Sequence, residues 1–423
     1  MSASHPVRVV VTDDLRRRRL TVLFRLLLAL PHLVWATLYG AAAFTLAFVV
    51  WLAVLVERRA PGSLHRFLAN YTRYTVHLTA YLCLAADPYP DFTGARPYPV
   101  DVEIDPPARQ RRRTAAVRFL LAIPAFVLSS ALAGSTALGA AYGAAVVAGI
   151  GGLGAVVATL GWFASVARGR MPRGMRDAAV YAIGYGAQTT AYTLLLTERY
   201  PDATPGRAEP APELPPHPVG MRVVDDLRRP RLLVLFRVPL SIPHILLLTL
   251  WSAFALAAAV LAWLVALVAG RVPRFLHRFI AANIRAWTHL YAFLFVVGRP
   301  FPGFVGREGS YPIDLTIASP EKQRRLTVLF RPVLAIPALL LAAAYAGVAF
   351  VVAVLGWLTA LLLGRMPGGL RDLGVAALRY QAQVGAYALL VTPRYPDSSP
   401  ALVDRPAAEP EPLLAPDVVP VVP

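Results

Sequence analysis

A tryptophan that closes an apolar run recurs four times along this chain, and the same short pattern follows it each time. An arginine, a proline and then a histidine or second arginine come after each tryptophan at fixed offsets. Because a repeated unit buries its apolar face against its neighbours, this periodicity predicts four tandem units. The tryptophans are Trp51, Trp162, Trp263 and Trp357; the arginines after them are Arg59, Arg170, Arg271 and Arg365; an earlier arginine, at a constant distance before a proline, is Arg25, Arg118, Arg237 or Arg331.

The unit boundaries follow from this periodicity. The first and third units share histidines that the second and fourth lack, so the units alternate in type, A-B-A-B, and two similar halves are expected. Only the second unit carries an insertion rich in glycine and alanine. We predict repeat units at 1–97, 98–202, 218–304 and 305–397, a Pro- and Glu-rich linker at 203–217, and a disordered Pro-rich tail at 398–423.

A short alternating stretch opens each unit. It is clearest at 100–104 and 313–317, and looser at 7–11 and 221–224. Apolar and polar residues that alternate with period two predict half-buried strands. Since a lone strand leaves its backbone groups unpaired, we expect the four strands to lie on one side of the membrane and to pair with each other in a small extramembrane sheet.

Long stretches without charge predict a membrane protein. Hydrophobic residues make up 57% of the chain and charged residues only 16%, far from a typical soluble composition. The stretches 33–56, 125–167, 245–270 and 338–364 contain no charged side chain, and each can cross a hydrocarbon core of about 30 Å as a helix. With a second helix in each unit, the expected fold is an all-α membrane bundle of about eight spanning helices in the cell membrane.

Charge indicates the orientation and the partners. The net charge of +18 comes almost wholly from arginine, since Lys322 is the only lysine. Lysine and arginine are more numerous on the strand side, which the positive-inside rule places in the cytoplasm with both termini. Arginines near helix ends can reach anionic lipid headgroups, so all eight repeated arginines are predicted to contact lipid; those before the proline would lie on an interfacial helix or on the tilted entry of the first span.

Other partners and compartments are less favoured. No basic module with interleaved aromatic residues is present, so no nucleic acid partner is expected. Cys83 is the only cysteine, which excludes an intrachain disulfide and a cysteine-type metal site. The first apolar run is too long for a signal peptide and no cleavage site closes it, so none is expected.

The second helix of each unit carries a polar face, because positions four residues apart share one side of a helix. Such a face must meet protein or water rather than lipid. We favour hydrogen bonds that hold the bundle together; the alternative is a proton or anion path that uses the histidines. The face consists of Arg73, His77 and Tyr81; Gly184, Gln188 and Tyr192; Arg285, His289 and Phe293; and Arg379, Gln383 and Tyr387.

Several of these motifs resemble a known membrane family. The run from Gly364 to Leu370, the pair Leu378-Arg379, the ending Arg394-Tyr395-Pro396 and the segment 329–337 look like the hallmarks of domain of unknown function 4389. The resemblance extends over nearly the whole chain in four copies, and it implies a bacterial membrane protein without an assigned activity. The second copy departs from the pattern, with Val117 before its arginine and Gly184 where the second-helix arginine stands elsewhere.

The chain offers little catalytic chemistry. No nucleophile elbow, phosphate-binding loop or metalloprotease motif is present, so we expect no enzyme, no cofactor and no metal. The paired acids Asp13-Asp14 and Asp225-Asp226 are interpreted as caps of the basic segments that follow them. The favoured function is a structural or assembly scaffold whose cytoplasmic strands bind a protein partner. The alternative is a transporter, or a lipid- or anion-handling protein, that uses the polar helix faces.

Overall fold

The structure, a computed structural model, describes residues 5–134, 152–206 and 216–400. Most of these residues are helical. The strands are β1 (Val7–Val11), β2 (Val100–Ile104), β3 (Val219–Val223) and β4 (Ile313–Ile317). The helices of the first half are α1 (Arg19–Leu23), α2 (Arg25–Glu57), α3 (Gly62–Leu82), α4 (Arg112–Ala116), α5 (Arg118–Ala133), α6 (Leu153–Arg168) and α7 (Arg173–Thr193). Those of the second half are α8 (Arg231–Ala269), α9 (Arg274–Leu294), α10 (Arg325–Leu329), α11 (Arg331–Leu363) and α12 (Gly368–Ala388).

Some predicted segments fall outside this description. Most of the Gly/Ala-rich insertion of the second unit lies at 135–151, part of the linker at 207–215, and most of the tail at 401–423. On either side of the insertion, α5 ends beside the beginning of α6. A β-carbon placed on Gly154 would stand 3.1 Å from the carbonyl oxygen of Ala133.

The helix ends follow the turn chemistry that the sequence indicates. Gly169, Gly270 and Gly364 end α6, α8 and α11 with φ of 68°, 66° and 71°, a left-handed conformation that glycine adopts without steric cost. Arg58 ends α2 in the same conformation, with φ 61°. The predicted helix stops are confirmed, and Arg58 takes a backbone position better suited to glycine.

The apolar segment before each proline is the entry of the long helix rather than a separate interfacial helix. Pro31 lies inside α2, Pro124 inside α5, Pro243 inside α8 and Pro337 inside α11. Only one-turn helices, α1, α4 and α10, precede α2, α5 and α11. The segment is therefore continuous with the helix that follows the proline, and the prediction of a separate interfacial helix is wrong.

Three helices in the described part of the chain are long and apolar enough to cross a membrane: α2, α8 and α11. The prediction of about eight spanning helices is therefore wrong for these residues. The helices α3, α7, α9 and α12 are not among them; they contain polar and charged side chains such as Arg176, His77 and Arg379, which are buried. Two further apolar helices, α5 and α6, are shorter.

The strands form two sheets and not the single sheet that we predicted. β1 pairs with β2 in antiparallel register, Val9 opposite Val102, and β3 pairs with β4, Met221 opposite Leu315. Each pair joins the two units of one half. The strand positions themselves agree with the predicted alternation.

The elements stack in three layers. The long apolar helices α2, α8 and α11, with the shorter α5 and α6, form the first layer, and α3, α7, α9 and α12 pack on them as the second. The sheets lie on the second layer, β2 against α3 and β1 against α7, with β4 against α9 and β3 against α12. The predicted polar helix faces therefore lie under the sheets.

Neighbouring units run in opposite directions. The Arg17 amide, in the strand-bearing start of the first unit, donates to the Gly169 carbonyl at the turn of the second (2.9 Å), and the Gln110 amide of the second donates to the Arg58 carbonyl of the first (2.7 Å). The start of each of these units therefore lies beside the turn of its neighbour, because the chain after β2 runs back beside α3 to the far end of α2. Equivalent bonds join Arg229 to Gly364 and Gln323 to Gly270.

Candidate functional site

The polar face of α3 binds an acid on the neighbouring strand. Arg73 donates two hydrogen bonds to the Asp101 carboxylate, at 3.1 and 2.6 Å, and His77 Nε2 lies 2.9 Å from the same carboxylate. The Tyr98 ring stacks on the imidazole of His77 at 4.8 Å between centroids. The side chain of His77 is completely buried, so this cluster holds β2 onto α3.

The second half contains the matching cluster with one difference. His289 Nε2 lies 2.7 Å from Asp314, and the Tyr311 ring stacks on His289 at 4.9 Å. Arg285 stands 3.8 Å from Asp314 and donates instead to Glu308, at 3.0 Å, and to the Leu315 carbonyl.

Both carboxylates are held in their charged form. Burial alone would raise the pKa of Asp101, but hydrogen bonds from His77, Arg73 and the Val102 amide bring it below its usual range. The pKa of Asp314 is lowered in the same way: burial opposes the shift, while His289 and backbone amides produce it. A carboxylate that accepts several charge-assisted hydrogen bonds is stabilised in its ionised form.

The side chains of the two glutamines on the polar face also form hydrogen bonds with the protein backbone and do not face a channel. Gln188 Nε2 donates to the Val7 carbonyl on β1 at 3.3 Å, and Gln383 Nε2 donates to Val219 on β3 at 3.0 Å. Each glutamine accepts from a backbone amide after its helix, Asp202 for Gln188 (2.9 Å) and Asp397 for Gln383 (3.0 Å). Arg379 donates to the Ser399 carbonyl.

The aromatic side chains of the polar face contact four arginines that we predicted to bind lipid headgroups. Arg25, Arg118, Arg237 and Arg331 are between 0% and 2% exposed, so that prediction is wrong for them. Each guanidinium stacks on a ring and donates to carbonyls in the last turn of the second helix and just after it, which offsets the cost of burial. Nε of all four arginines is buried without a hydrogen-bond partner among the described residues. The centroid distances are 4.3 Å to Tyr81, 4.3 Å to Tyr192, 4.6 Å to Phe293 and 4.1 Å to Tyr387.

Arg331 illustrates the bonding of this group. Its Nη1 donates to the carbonyls of Tyr387 (3.1 Å) and Thr392 (3.0 Å), and its Nη2 donates to Gln323 Oε1 (2.7 Å). Tyr387 lies in the last turn of α12 and Thr392 lies beyond its end, so both carbonyls belong to the segment in which the helix stops. The arginine therefore fixes the beginning of one helix to the end of the next.

The arginines at the turns remain at the surface. Arg59, Arg170, Arg271 and Arg365 are all exposed, and their contact with headgroups stays a prediction. Arg59 also donates to the Pro107 carbonyl at 3.1 Å.

The paired acids stabilise turns and one buried ion pair in each half. Asp13 accepts from the Leu15 amide (3.0 Å) and binds Arg17 at 2.8 Å, with both side chains nearly inaccessible to water. Asp225 and Arg229 form the same pair at 2.8 Å. The acids stabilise turns and do not cap the helices that follow, whose N-caps are Arg18 and Pro230, so the interpretation as helix caps is wrong.

The sequence reasoning missed Asp101 and Asp314. Both lie in the alternating stretches 100–104 and 313–317, and each is an acid beside the first residue of a strand in the same kind of predicted unit. In both halves an acid occupies the second position of the strand, and an arginine and a histidine lie four residues apart on a helix before that strand. This repetition is the signal that could have paired the acids with the helix face. Within the described residues, no group of three or more His, Cys, Asp or Glu side chains is placed to hold a metal ion.

These features are consistent with a helical membrane protein. Within the chain, the model of the family "Domain of unknown function (DUF4389)" matches residues 19–93 and 325–398, which are the helical parts of the first and fourth predicted units. The match covers two segments rather than the four that the sequence resemblance suggested. Neither the curated proteins nor the solved structures contain a significant match.

Proposed function

We propose that this chain is a non-catalytic structural protein of a membrane, built as a scaffold from four related units. The observation that carries the proposal is that the polar helix faces are occupied by the chain's own strands. Arg73, His77, Arg285 and His289 all contact strand residues or the loops beside them. Side chains that are bonded internally in this way hold layers together and leave few groups to solvate a permeating ion.

The outer side of the sheets is the surface that we assign to a protein partner. Arg8 on β1 lies 3.5 Å from Glu103 and 3.3 Å from Asp105, and the three side chains are between 42% and 60% exposed. Among the described residues no third strand pairs with either sheet, and a strand edge without a neighbouring strand is a common template for strand addition by another chain. The sheets are thus a docking layer on a framework of helices.

A transporter, or a lipid- or anion-handling protein, remains the alternative, and one observation favours it. Nδ1 of His77 and Nδ1 of His289 are buried without a hydrogen-bond partner among the described residues. An unpartnered imidazole nitrogen could accept a proton from a path that opens transiently.

A double substitution separates the two functions. His77→Gln with His289→Gln keeps a side chain that can donate to Asp101 and Asp314 but removes the imidazole nitrogen that could accept a proton. For the scaffold we expect vesicles with an internal pH dye to show the same background proton flux for the wild type and the variant, with similar thermal stability in detergent. A wild-type flux that the folded variant loses would contradict the proposal and support the transporter.

A further inference from the structure

The long apolar helices are poorly matched to the thickness of a bilayer. α2 and α11 have 33 residues each and α8 has 39, which gives lengths of about 50 to 58 Å at about 1.5 Å per residue. A hydrocarbon core is about 30 Å thick, so such a helix would have to tilt by about 50° or more to keep its apolar surface inside it. Spanning helices tilt by about 20° on average and rarely beyond about 40°.

The sheets lie beside the middle of these helices and not beyond their ends. Tyr39, near the midpoint of α2, packs on Tyr71 of α3 at 5.2 Å between ring centroids. Only two residues further along α3, Arg73 binds Asp101 on β2. If α2 crossed the bilayer, the sheet of β1 and β2 would lie near its centre.

That position would be costly for the sheet. The side chain of Glu103 is 60% exposed and that of Arg8 is 42% exposed, and a charged side chain at the bilayer centre is costly even on the insertion scale that gives the lowest values. The outer edges of a two-stranded sheet also carry backbone groups that lipid cannot satisfy. The sheet therefore belongs in water along its whole length.

Both ends of α2 lie on the same polar side as the sheet. Near its beginning, Arg25 binds Asp87 at 2.8 Å, after the end of α3. At its end, the Arg58 carbonyl accepts a hydrogen bond from the Gln110 amide, and the Arg59 side chain donates one to the Pro107 carbonyl. Both partners lie in the segment that follows β2. The polar segment between Asp87 and Gln110, which includes β2, thus runs beside α2 and α3 from one end of α2 to the other.

The opposite side of these helices is apolar and uncovered. α2 buries a stripe of mostly small residues that includes Ala36, Gly40 and Ala43, while Leu38 is 61% exposed and Phe48 59% exposed. Of the most apolar stretch of each long helix, only 28% in α2, 22% in α8 and 44% in α11 is buried. A helix about 10 Å in diameter fits within the hydrocarbon of one leaflet, about 15 Å deep.

We infer that α2, α8 and α11 lie in the plane of one leaflet, with their exposed apolar faces among the acyl chains and the two sheets in the water on the same side. The chain enters the membrane without crossing it. The exposed turn arginines Arg59, Arg271 and Arg365 then stand at the ends of the embedded helices α2, α8 and α11, where headgroup phosphates are available. The inference rests on the membrane residence assumed in the proposed function, but not on the scaffold role.

Cysteine labelling of the full chain in sealed vesicles tests this arrangement. In a Cys83→Ser background, single Arg19→Cys, Glu57→Cys and Glu103→Cys variants place a thiol before α2, at its end and on β2, all at exposed positions. With a membrane-impermeant maleimide, we expect all three to be labelled from one and the same side. Labelling of Arg19→Cys and Glu57→Cys from opposite sides would overturn the inference.

A depth measurement provides a second criterion. Nitroxide labels on Leu38→Cys and Leu52→Cys, both exposed on α2, should report equal depth from oxygen and nickel accessibility if the helix lies in the plane. In a crossing helix their depths would differ by about 20 Å along the axis, which would also overturn the inference. Either result leaves the flux experiment unaffected, so failure of the membrane arrangement and failure of the scaffold proposal are distinguished.

Discussion

Replacement of Asp101 by asparagine tests the contact between the sheet and the helix face most directly. The carboxylate accepts from Arg73 at 3.1 and 2.6 Å and lies 2.9 Å from His77 Nε2. Hydrogen bonds to charged groups contribute about 1.5 to 3 kcal/mol, and the amide would turn a donor toward one of these donors. Because the side chain of Arg73 is 27% exposed, water compensates in part, and we expect Asp101→Asn to lower the free energy of unfolding by about 2 kcal/mol.

The control is Asp105→Asn on the same segment. Asp105 is 48% exposed and binds Arg8 at 3.3 Å, and exposed ion pairs contribute about 0 to 1 kcal/mol. Both variants would be unfolded by denaturant in the same detergent, with circular dichroism as the signal. If Asp101→Asn loses no more stability than Asp105→Asn, the sheet does not depend on this carboxylate and the argument is refuted.

The pH dependence has a definite sign. The pKa of Asp101 is lower in the folded protein than in the unfolded chain, so its contribution is fully present above the ordinary aspartate pKa of about 4 and is lost as the pH falls toward the folded-state pKa. The difference in stability between the wild type and Asp101→Asn should therefore be constant above about pH 5 and should shrink below about pH 4. A difference that grows on acidification would contradict the assigned contact.

Three further substitutions test the backbone. Arg58→Gly should raise the free energy of unfolding by about 0.5 to 1 kcal/mol, because Arg58 has φ 61° at the end of α2, where glycine is not strained; a loss of stability would show that its side chain matters more than its backbone. Gly306→Ala should strongly lower the free energy of unfolding, since a β-carbon there would lie 2.7 Å from the Ala286 amide nitrogen. Gly309 also has a left-handed backbone, but nothing lies within 4 Å of its β-carbon position, so Gly309→Ala should lower the free energy of unfolding by only about 1 kcal/mol. Equal melting temperatures for the two variants would contradict this.

The polar helix faces and the strands were predictable because both are local patterns. A spacing of four residues places Arg73 and His77 on one side of α3 wherever that helix packs, and alternation identifies Val100–Ile104 as a strand. Neither pattern states which face meets which strand. Asp101 therefore remained unassigned until the fold brought it to α3.

The sequence by itself determined the long apolar helices, their glycine ends, the four strands and the polar faces, because helical period, strand period and turn chemistry act over a few residues. The tertiary structure decided what these elements meet. It turned Arg25 and Arg331 inward onto Tyr81 and Tyr387, divided the strands between two sheets, and reversed neighbouring units. An arginine near a helix end can bind lipid, water or a carbonyl, and only the packing of distant segments selects among these partners, because the energies that decide it are those of long-range contacts.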